Sequence, residues 1–191
     1  MVAIEIHSAS HPAINWGDGT ISIGCQDNLH DMIRAITAHP EAKSIDVLRI
    51  TAPGIIAILI GLLLPAVQKV REASTRSGFD RGSSALSRLH EAAGNKLGAI
   101  NSRTPDSDSQ MGEILPYIEQ RLSLLRPLFA HGAHVELRST SVSVGEINTD
   151  GLMRLARALG VPVWMGRTAP NNSNWQGPVI KATPAGLLQS I

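Results

Sequence analysis

Residues 28–51, with the sequence NLHDMIRAITAHPEAKSIDVLRIT, contain the pattern that decides the fold class. Apolar residues recur in the first half of this stretch at i, i+3, i+4 and i+7, which predicts an amphipathic helix capped by Asp27 or Asn28. The side chains of its buried face are Leu29, Met32, Ile33 and Ile36. His39-Pro40 ends the helix, and residues 45–51 have the β-branched composition of a strand. Strand and helix signals that alternate in this way favour a parallel sheet.

On the N-terminal side, the sequence predicts two short strands that pair as a hairpin. Ile4 and Ile6 mark the first strand, and Ile21 and Ile23 mark the second. The glycines of Gly17-Asp-Gly19 supply a turn between them. Cys25 follows the second strand and is expected to be a small residue in a turn.

On the C-terminal side, Ala52-Pro-Gly54 predicts a turn, and a strongly apolar run follows up to Val67. A helix needs about 20 apolar residues to span a membrane, and this run is shorter and contains Pro65. We therefore expect a buried strand over residues 55–60 and a helix that opens at Pro65. Insertion into a membrane or a filament is the alternative.

The remainder of the chain is divided into a basic excursion and a regular α/β part. Residues 68–110 are rich in Lys, Arg, Gly and Ser, which indicates a solvated surface segment outside the core. A helix is predicted over residues 112–127, and another begins at residues 148–150 and stops at Gly160. Strands are predicted over residues 133–138, 161–164 and 177–181. The whole chain, 1–191, is therefore expected to be one domain.

The composition excludes several classes of function and does not indicate a particular one. The chain of 191 residues has a formal net charge of +1, so it lacks the basic excess of a nucleic-acid-binding protein. Its single cysteine excludes an internal disulfide framework, and its histidines, including His131 and His134, lack the spacing of metal ligands. We expect no metal and no cofactor. The N-terminus lacks the features of a signal peptide, so we expect a soluble, cytoplasmic domain with no membrane contact.

Two stretches of the last third resemble bacterial caspase-like domains of the clan CD type. They are LRPLFAHGAHVEL at residues 125–137 and GLMRLARALGVPV at residues 151–163. The resemblance covers most of the chain except residues 68–110. It implies a three-layer α/β sandwich with a mostly parallel central sheet and helices on both faces. In that family, one strand ends in His-Gly and supplies the catalytic histidine, and a second ends in Gly-Cys and supplies the nucleophile.

The positions that match this catalytic dyad have other residues. Pro53-Gly54 is found in place of His-Gly, and Ser139-Thr140 in place of Gly-Cys. Proline cannot carry a proton, and a threonine hydroxyl without a base is a poor nucleophile near neutral pH. The resemblance therefore implies a pseudoenzyme that binds a protein or peptide partner. The expected binding groove comprises Ala52, Pro53, Gly54, Ser139, Thr140 and Ser141.

Two alternatives remain open at this point. A hydrolase could use Thr140 or a neighbouring serine as its nucleophile. Residues 55–74 are similar to the N-terminal helix of planctomycete type IV pilin-like proteins, which implies a structural or membrane-associated subunit. The processing site of those proteins is absent, because RITAPG stands before the run at residues 49–54. Asp46 and Glu136, which lie on predicted strands, are interpreted as exposed carboxylates and not as an acid–base pair.

Overall fold

A mixed seven-stranded sheet forms the centre of the domain. The computed structural model describes residues 1–61, 116–140, 149–168, 174–186 and 188–190. Its strands are β1 (Ala3–Ser8), β2 (Ile21–Cys25), β3 (Ile45–Ile50), β4 (Phe129–Ser139), β5 (Val163–Thr168), β6 (Trp175–Ala182) and β7 (Leu188–Ser190). Their order in the sheet is β2-β1-β3-β4-β5-β6-β7. The first five strands are parallel and the last two pair antiparallel. The α/β class and the mostly parallel sheet are confirmed, and the arrangement is consistent with a three-layer sandwich.

Four α-helices accompany the sheet in the described residues. They are α1 (Leu29–Ala38), α2 (Pro53–Gly61), α3 (described over 116–123) and α4 (Thr149–Leu159). The predicted start of α1 is confirmed, because the Asn28 side chain accepts a hydrogen bond of 2.7 Å from the backbone N–H of Asp31. The predicted end of α4 is confirmed as well. Gly160 follows it with a φ of 74°, a left-handed conformation that glycine adopts at little cost.

The predicted hairpin is wrong, because β1 and β2 run parallel and not antiparallel. Ile4 lies opposite Ile21 and Ile6 lies opposite Ile23 in a parallel register. Residues 9–20 form the connection, and their length is sufficient to carry the chain back to the start of a parallel strand. The glycines at 17 and 19 have positive φ, so they do form a bend, but within this crossover and not between paired strands.

The predicted strand over residues 55–60 is also wrong, because these residues belong to α2. Pro53 opens this helix at a first-turn position where its missing N–H costs no hydrogen bond. A short run that is apolar on every side fits a buried helix as well as a buried strand, so periodicity could not separate them. The burial that we predicted is confirmed for the described side chains Ile55, Ile56, Ile58 and Leu59.

No helix in the ranges described here combines the length and the hydropathy that a bilayer crossing requires. The helix predicted to open at Pro65 and the excursion at residues 68–110 lie outside the described residues. The pilin-like match, residues 55–74, is therefore described only in its first part.

One aliphatic core joins the sheet to the helices. The apolar residues of the central strands, such as Ile6, Leu48 and Leu137, are fully buried in the same cluster as α1, α2, α3 and α4. The helix predicted over residues 112–127 packs Ile118 and Leu122 into this core, and Leu125, just after the described part of α3, is also buried. Phe129, four residues further on, begins β4. The core therefore holds the carboxyl ends of β1, β3 and β4 in fixed positions at one edge of the sheet.

Candidate functional site

The parallel pairing of β3 and β4 brings the two segments of the expected groove to one edge of the sheet. Ile50 lies opposite Leu137 in this register. β3 ends at Ile50, and Pro53 opens α2 three residues later. β4 ends at Ser139, with Thr140 directly after it. The two segments of the expected groove thus follow the carboxyl ends of neighbouring parallel strands.

The side chains of the β3 segment differ in what they can offer a partner. Ala52 is fully buried in the core, so its side chain does not line an open surface. Pro53 is exposed, and Gly54 is half-buried beside it at the start of α2. Among these three residues, Pro53 and Gly54 therefore form the accessible part.

The β4 segment contributes hydroxyl groups. Ser139 is half-buried at the end of β4, and Thr140 is exposed just beyond it. Ser141, the last residue of the expected groove, lies outside the described residues. Two accessible side chains, Pro53 at the start of α2 and Thr140 just after β4, therefore mark the described extent of this groove.

The segment after β2 meets the start of α2 at the same edge. A Cβ atom at position 54 would lie 2.4 Å from the Cβ atom of Asp27, a separation that real side chains do not reach. Glycine is therefore required at this position by the close approach of Asp27. The segments that follow β2 and β3 consequently form one continuous surface.

A chain of hydrogen bonds that the sequence did not suggest lies beside this contact. The Ser8 hydroxyl donates to the Asp27 carboxylate over 2.8 Å, and the hydroxyls of Ser8 and Ser10 are 2.8 Å apart. The Ser10 hydroxyl lies 3.0 Å from Nδ1 of His11. The residues after β1 and β2 are thereby tied together at the carboxyl edge of the sheet.

The directions of these hydrogen bonds show whether His11 can activate the Ser10 hydroxyl as a nucleophile. A hydroxyl has one proton to donate, and Ser8 gives its proton to Asp27. Ser10 must then donate to Ser8, and Nδ1 of His11 must donate its proton to Ser10. A general base would have to accept the Ser10 proton, and in this arrangement the imidazole donates instead. With these hydrogen bonds, His11 does not activate the Ser10 hydroxyl.

The strand order independently points to this edge. In the order β2-β1-β3-β4, the chain leaves β1 towards one side of the sheet and leaves β3 towards the other. Ligands of open α/β sheets bind in the crevice that such a reversal creates beyond the carboxyl ends of the strands. The residues that border this crevice are Ser8 to His11 after β1 and Thr51 to Gly54 after β3. We call the surface formed by residues 8–11, 27, 53–54 and 139–140 the carboxyl-edge surface.

Cys25 ends β2 near this surface and is not an activated thiol. Burial, together with the negative charges of Asp31 and Asp27, raises the pKa of the Cys25 thiol to about 12. A thiol with such a pKa is protonated near neutral pH and is a weak nucleophile. Cys25 is the single cysteine of the sequence, so cysteine chemistry has no candidate in this chain.

A second polar cluster lies on one face of the sheet. Arg49 of β3 and His134, Glu136 and Arg138 of β4 form this cluster, which we call the charged sheet face. Nε of Arg138 is 2.7 Å from the Glu136 carboxylate, and Nε of Arg49 is 3.3 Å from it. Our interpretation of Glu136 as an exposed carboxylate is wrong, because only 5% of the residue is accessible. Asp46, in contrast, is partly exposed beside the chain's N-terminal amine.

The environment of Glu136 strongly favours its charged form. Burial by itself raises the pKa of Glu136, but hydrogen bonds from His134 and Arg138 and the charges of Arg138 and Arg49 outweigh it and lower the pKa to about 2. Two tryptophans complete the packing, because the Arg138 guanidinium lies 3.9 Å from the Trp175 ring centroid and 4.8 Å from that of Trp16. These contacts join β4 to β6 and to the 9–20 connection, so the cluster stabilises the sheet.

No protein-family model, no curated protein and no solved structure matches this chain. In the described ranges, no group of three or more His, Cys, Asp or Glu side chains is placed to hold a metal ion. A functional proposal for this chain therefore has to be argued from the geometry at the carboxyl edge of the sheet.

Proposed function

We propose that this chain is a caspase-like α/β module that lacks the peptidase dyad and binds a protein or peptide at its carboxyl-edge surface. The observation that carries the proposal is the register of β3 and β4, in which Ile50 lies opposite Leu137. Because of this register, the segments that contain Pro53 and Thr140 leave neighbouring parallel strands at the same edge of the sheet. Two catalytic groups of a dyad would need such a placement, and these two residues cannot supply the chemistry.

The chemistry of the two positions supports binding over hydrolysis. Proline has no group that could accept a proton, and Thr140 would need a base to become a nucleophile. The nearest described hydroxyl chain, from Asp27 to His11, is arranged so that the imidazole donates a proton to Ser10. The single cysteine of the chain is buried and protonated.

The surroundings of these positions supply groups that a peptide can bind. The Thr140 hydroxyl and the imidazole of His11 are exposed polar groups, and Pro53 is an exposed apolar one. A peptide backbone offers both hydrogen-bond donors and acceptors, which such a mixed surface can satisfy. The core beneath, including Ile50 and Ala52, is fully buried and keeps the surface rigid, which lowers the entropic cost of binding.

The first test is selection of binding peptides from a random library with the purified chain, followed by affinity measurements on two variants. Thr140→Arg places a long side chain on the proposed surface. Ser44→Arg introduces the same side chain at an exposed position just before β3, at the opposite edge of the sheet. We expect Thr140→Arg to weaken peptide binding about tenfold or more, which corresponds to roughly 1.4 kcal/mol, and Ser44→Arg to leave it unchanged. Equal effects of the two variants would contradict the proposed location.

The second test concerns the assignment of the dyad positions. A Pro53→His/Thr140→Cys double variant restores the residue types that the resemblance assigns to these positions. We expect this variant to cleave peptides that the native chain only binds, and each single variant to be inactive. A folded double variant that binds the peptides and leaves them intact would count against positions 53 and 140 as the former dyad, while peptide binding by the native chain would be unaffected by that result.

A further inference from the structure

A second concave surface lies at the other end of the sheet, between α3 and α4. Its volume is about 560 Å³, which is within the range of small-molecule sites. Arg126 precedes β4, and Arg157 and Ala158 lie at the end of α4 just before β5, so this cleft is located near the amino ends of these strands. It is therefore separate from the carboxyl-edge surface.

Three arginines and one carboxylate line this cleft. Arg154 of α4 pairs with Glu119 of α3, with its Nη2 and Nε atoms 2.8 and 2.9 Å from the same carboxylate oxygen. This pair connects the two helices and neutralises both charges. Arg126 and Arg157 line the same cleft, and in the described part of the chain neither has a carboxylate within ion-pair distance.

Arg126 is held in place by the end of α4. Its Nε and Nη2 atoms donate to the backbone carbonyls of Ala158 and Arg157 over 2.8 and 2.6 Å. The carbonyls at a helix C-terminus carry partial negative charge, which would repel an anion, and Arg126 covers two of them. Because its guanidinium is already ordered, the third nitrogen can bind a ligand with little further loss of entropy.

The position of the Arg157 side chain beside the cleft is not explained by packing in the core. Its guanidinium is exposed at the last turn of α4, and its Nη2 atom lies close to Gly186, 3.3 Å from where a Cβ at that position would be. Gly186 has a φ of 90° in the turn between β6 and β7, and a larger residue there would crowd the Arg157 side chain. The turn thus leaves room for the guanidinium beside the cleft.

We propose that this arginine cleft, formed by Arg126, Arg154 and Arg157, binds a small polyanion that carries phosphate or carboxylate groups. Guanidinium groups bind both kinds of oxyanion through paired, charge-assisted hydrogen bonds. Arg126 and Arg157 have no carboxylate partner among the described residues, and two such cations in one concave site favour a ligand with at least two negative charges. The volume of the cleft accommodates more than a single phosphate ion.

Isothermal titration calorimetry tests this proposal with two probes, inorganic pyrophosphate and citrate, which separate phosphate from carboxylate ligands. We expect one of them to bind the native chain with a Kd of about 1 mM or lower, and Arg157→Gln to weaken that binding about tenfold, since a hydrogen bond to a charged group contributes about 1.5–3 kcal/mol. Arg34→Gln is the control for net charge, because Arg34 is on α1 and does not line the cleft.

Thermal unfolding of each variant shows whether the fold is intact. We expect Arg157→Gln to unfold at the native temperature, because Arg157 forms no ion pair with a described residue. The absence of binding by either probe at 10-fold the expected Kd would overturn the proposal. Equal weakening by Arg157→Gln and Arg34→Gln would overturn it as well, because the effect would then be one of net charge and not of the cleft.

Discussion

Glu136 allows the energetics of the charged sheet face to be predicted in detail. Its carboxylate is buried between Arg138 and Arg49, and its pKa is lowered to about 2 from an ordinary value of 4.5. A group with a depressed pKa in the folded state stabilises the fold above its unfolded pKa, and this contribution is lost as the pH falls towards the folded pKa. The relevant window is therefore between about pH 4.5 and pH 2.

The size of the effect follows from the shift. A change of about 2.5 pKa units corresponds to roughly 3 kcal/mol, of which about 2 kcal/mol is lost by pH 3. Glu136→Gln removes the negative charge that both Arg138 and Arg49 contact, while Arg49 keeps its ion pair with Asp18. Breaking a buried ion pair in this way costs about 3–5 kcal/mol near neutral pH. The variant should thus be less stable than the native chain at pH 7, and the difference should shrink towards pH 3.

Urea unfolding at a series of pH values between 7 and 3 measures both quantities. Glu41→Gln is the control. Glu41 is exposed, so its substitution removes the same charge outside the buried cluster. We expect the native chain and Glu41→Gln to lose stability in parallel below pH 4.5, and Glu136→Gln to show a flatter profile. If the stability of Glu136→Gln falls with pH in parallel to that of the native chain, the Glu136 carboxylate is not the source of the pH-dependent stabilisation.

Three further predictions concern other parts of the fold. Gly54→Ala should destabilise the domain by about 1–3 kcal/mol in urea unfolding, because its Cβ would clash with Asp27, and an Asp27→Gly background should recover part of the loss. Asn28→Ala should cost about 1 kcal/mol through the lost cap of α1, and an equal cost from Asn15→Ala in the 9–20 connection would contradict this. The Cys25 thiol should react with a disulfide reagent only after unfolding, and rapid reaction of the folded chain would contradict its burial.

Elements with a clear periodicity could be predicted from the sequence. The spacing of Leu29, Met32, Ile33 and Ile36 identified α1, and Leu152, Leu155 and Gly160 identified α4. The strands predicted over residues 45–51, 133–138, 161–164 and 177–181 correspond to β3, β4, β5 and β6, although the extents of β4 and β5 were underestimated. In these segments, local patterns and tertiary packing agree.

Features that depend on distant partners could not be predicted. The parallel pairing of β1 and β2 depends on how residues 9–20 cross the sheet, and a turn motif inside that connection suggested a hairpin instead. The burial of Glu136 depends on Arg49, which is 87 positions away. The bond between Ser8 and Asp27 likewise joins residues that no motif connects. β7, with three residues, was too short to leave a pattern.

The candidate surface was predicted in part. The positions Pro53, Gly54, Ser139 and Thr140 were chosen through a family resemblance, and the parallel register of β3 and β4 places them at one edge of the sheet. Ala52 was included because it adjoins Pro53, but a residue followed directly by a buried helix packs into the core. The contribution of residues 8–11 and Asp27 required the strand order, which sequence patterns alone did not supply.

The most direct measurement for the central claim is mass spectrometry of peptides selected for binding, after prolonged incubation with the purified native chain. We predict that these peptides are recovered intact, because Pro53 cannot accept a proton, Thr140 would need a base to become a nucleophile, and the single cysteine is buried and protonated. Cleavage at defined sites that disappears in a Thr140→Ala variant would contradict it. Such a result would show that the Thr140 hydroxyl is a nucleophile and that the domain is a peptidase.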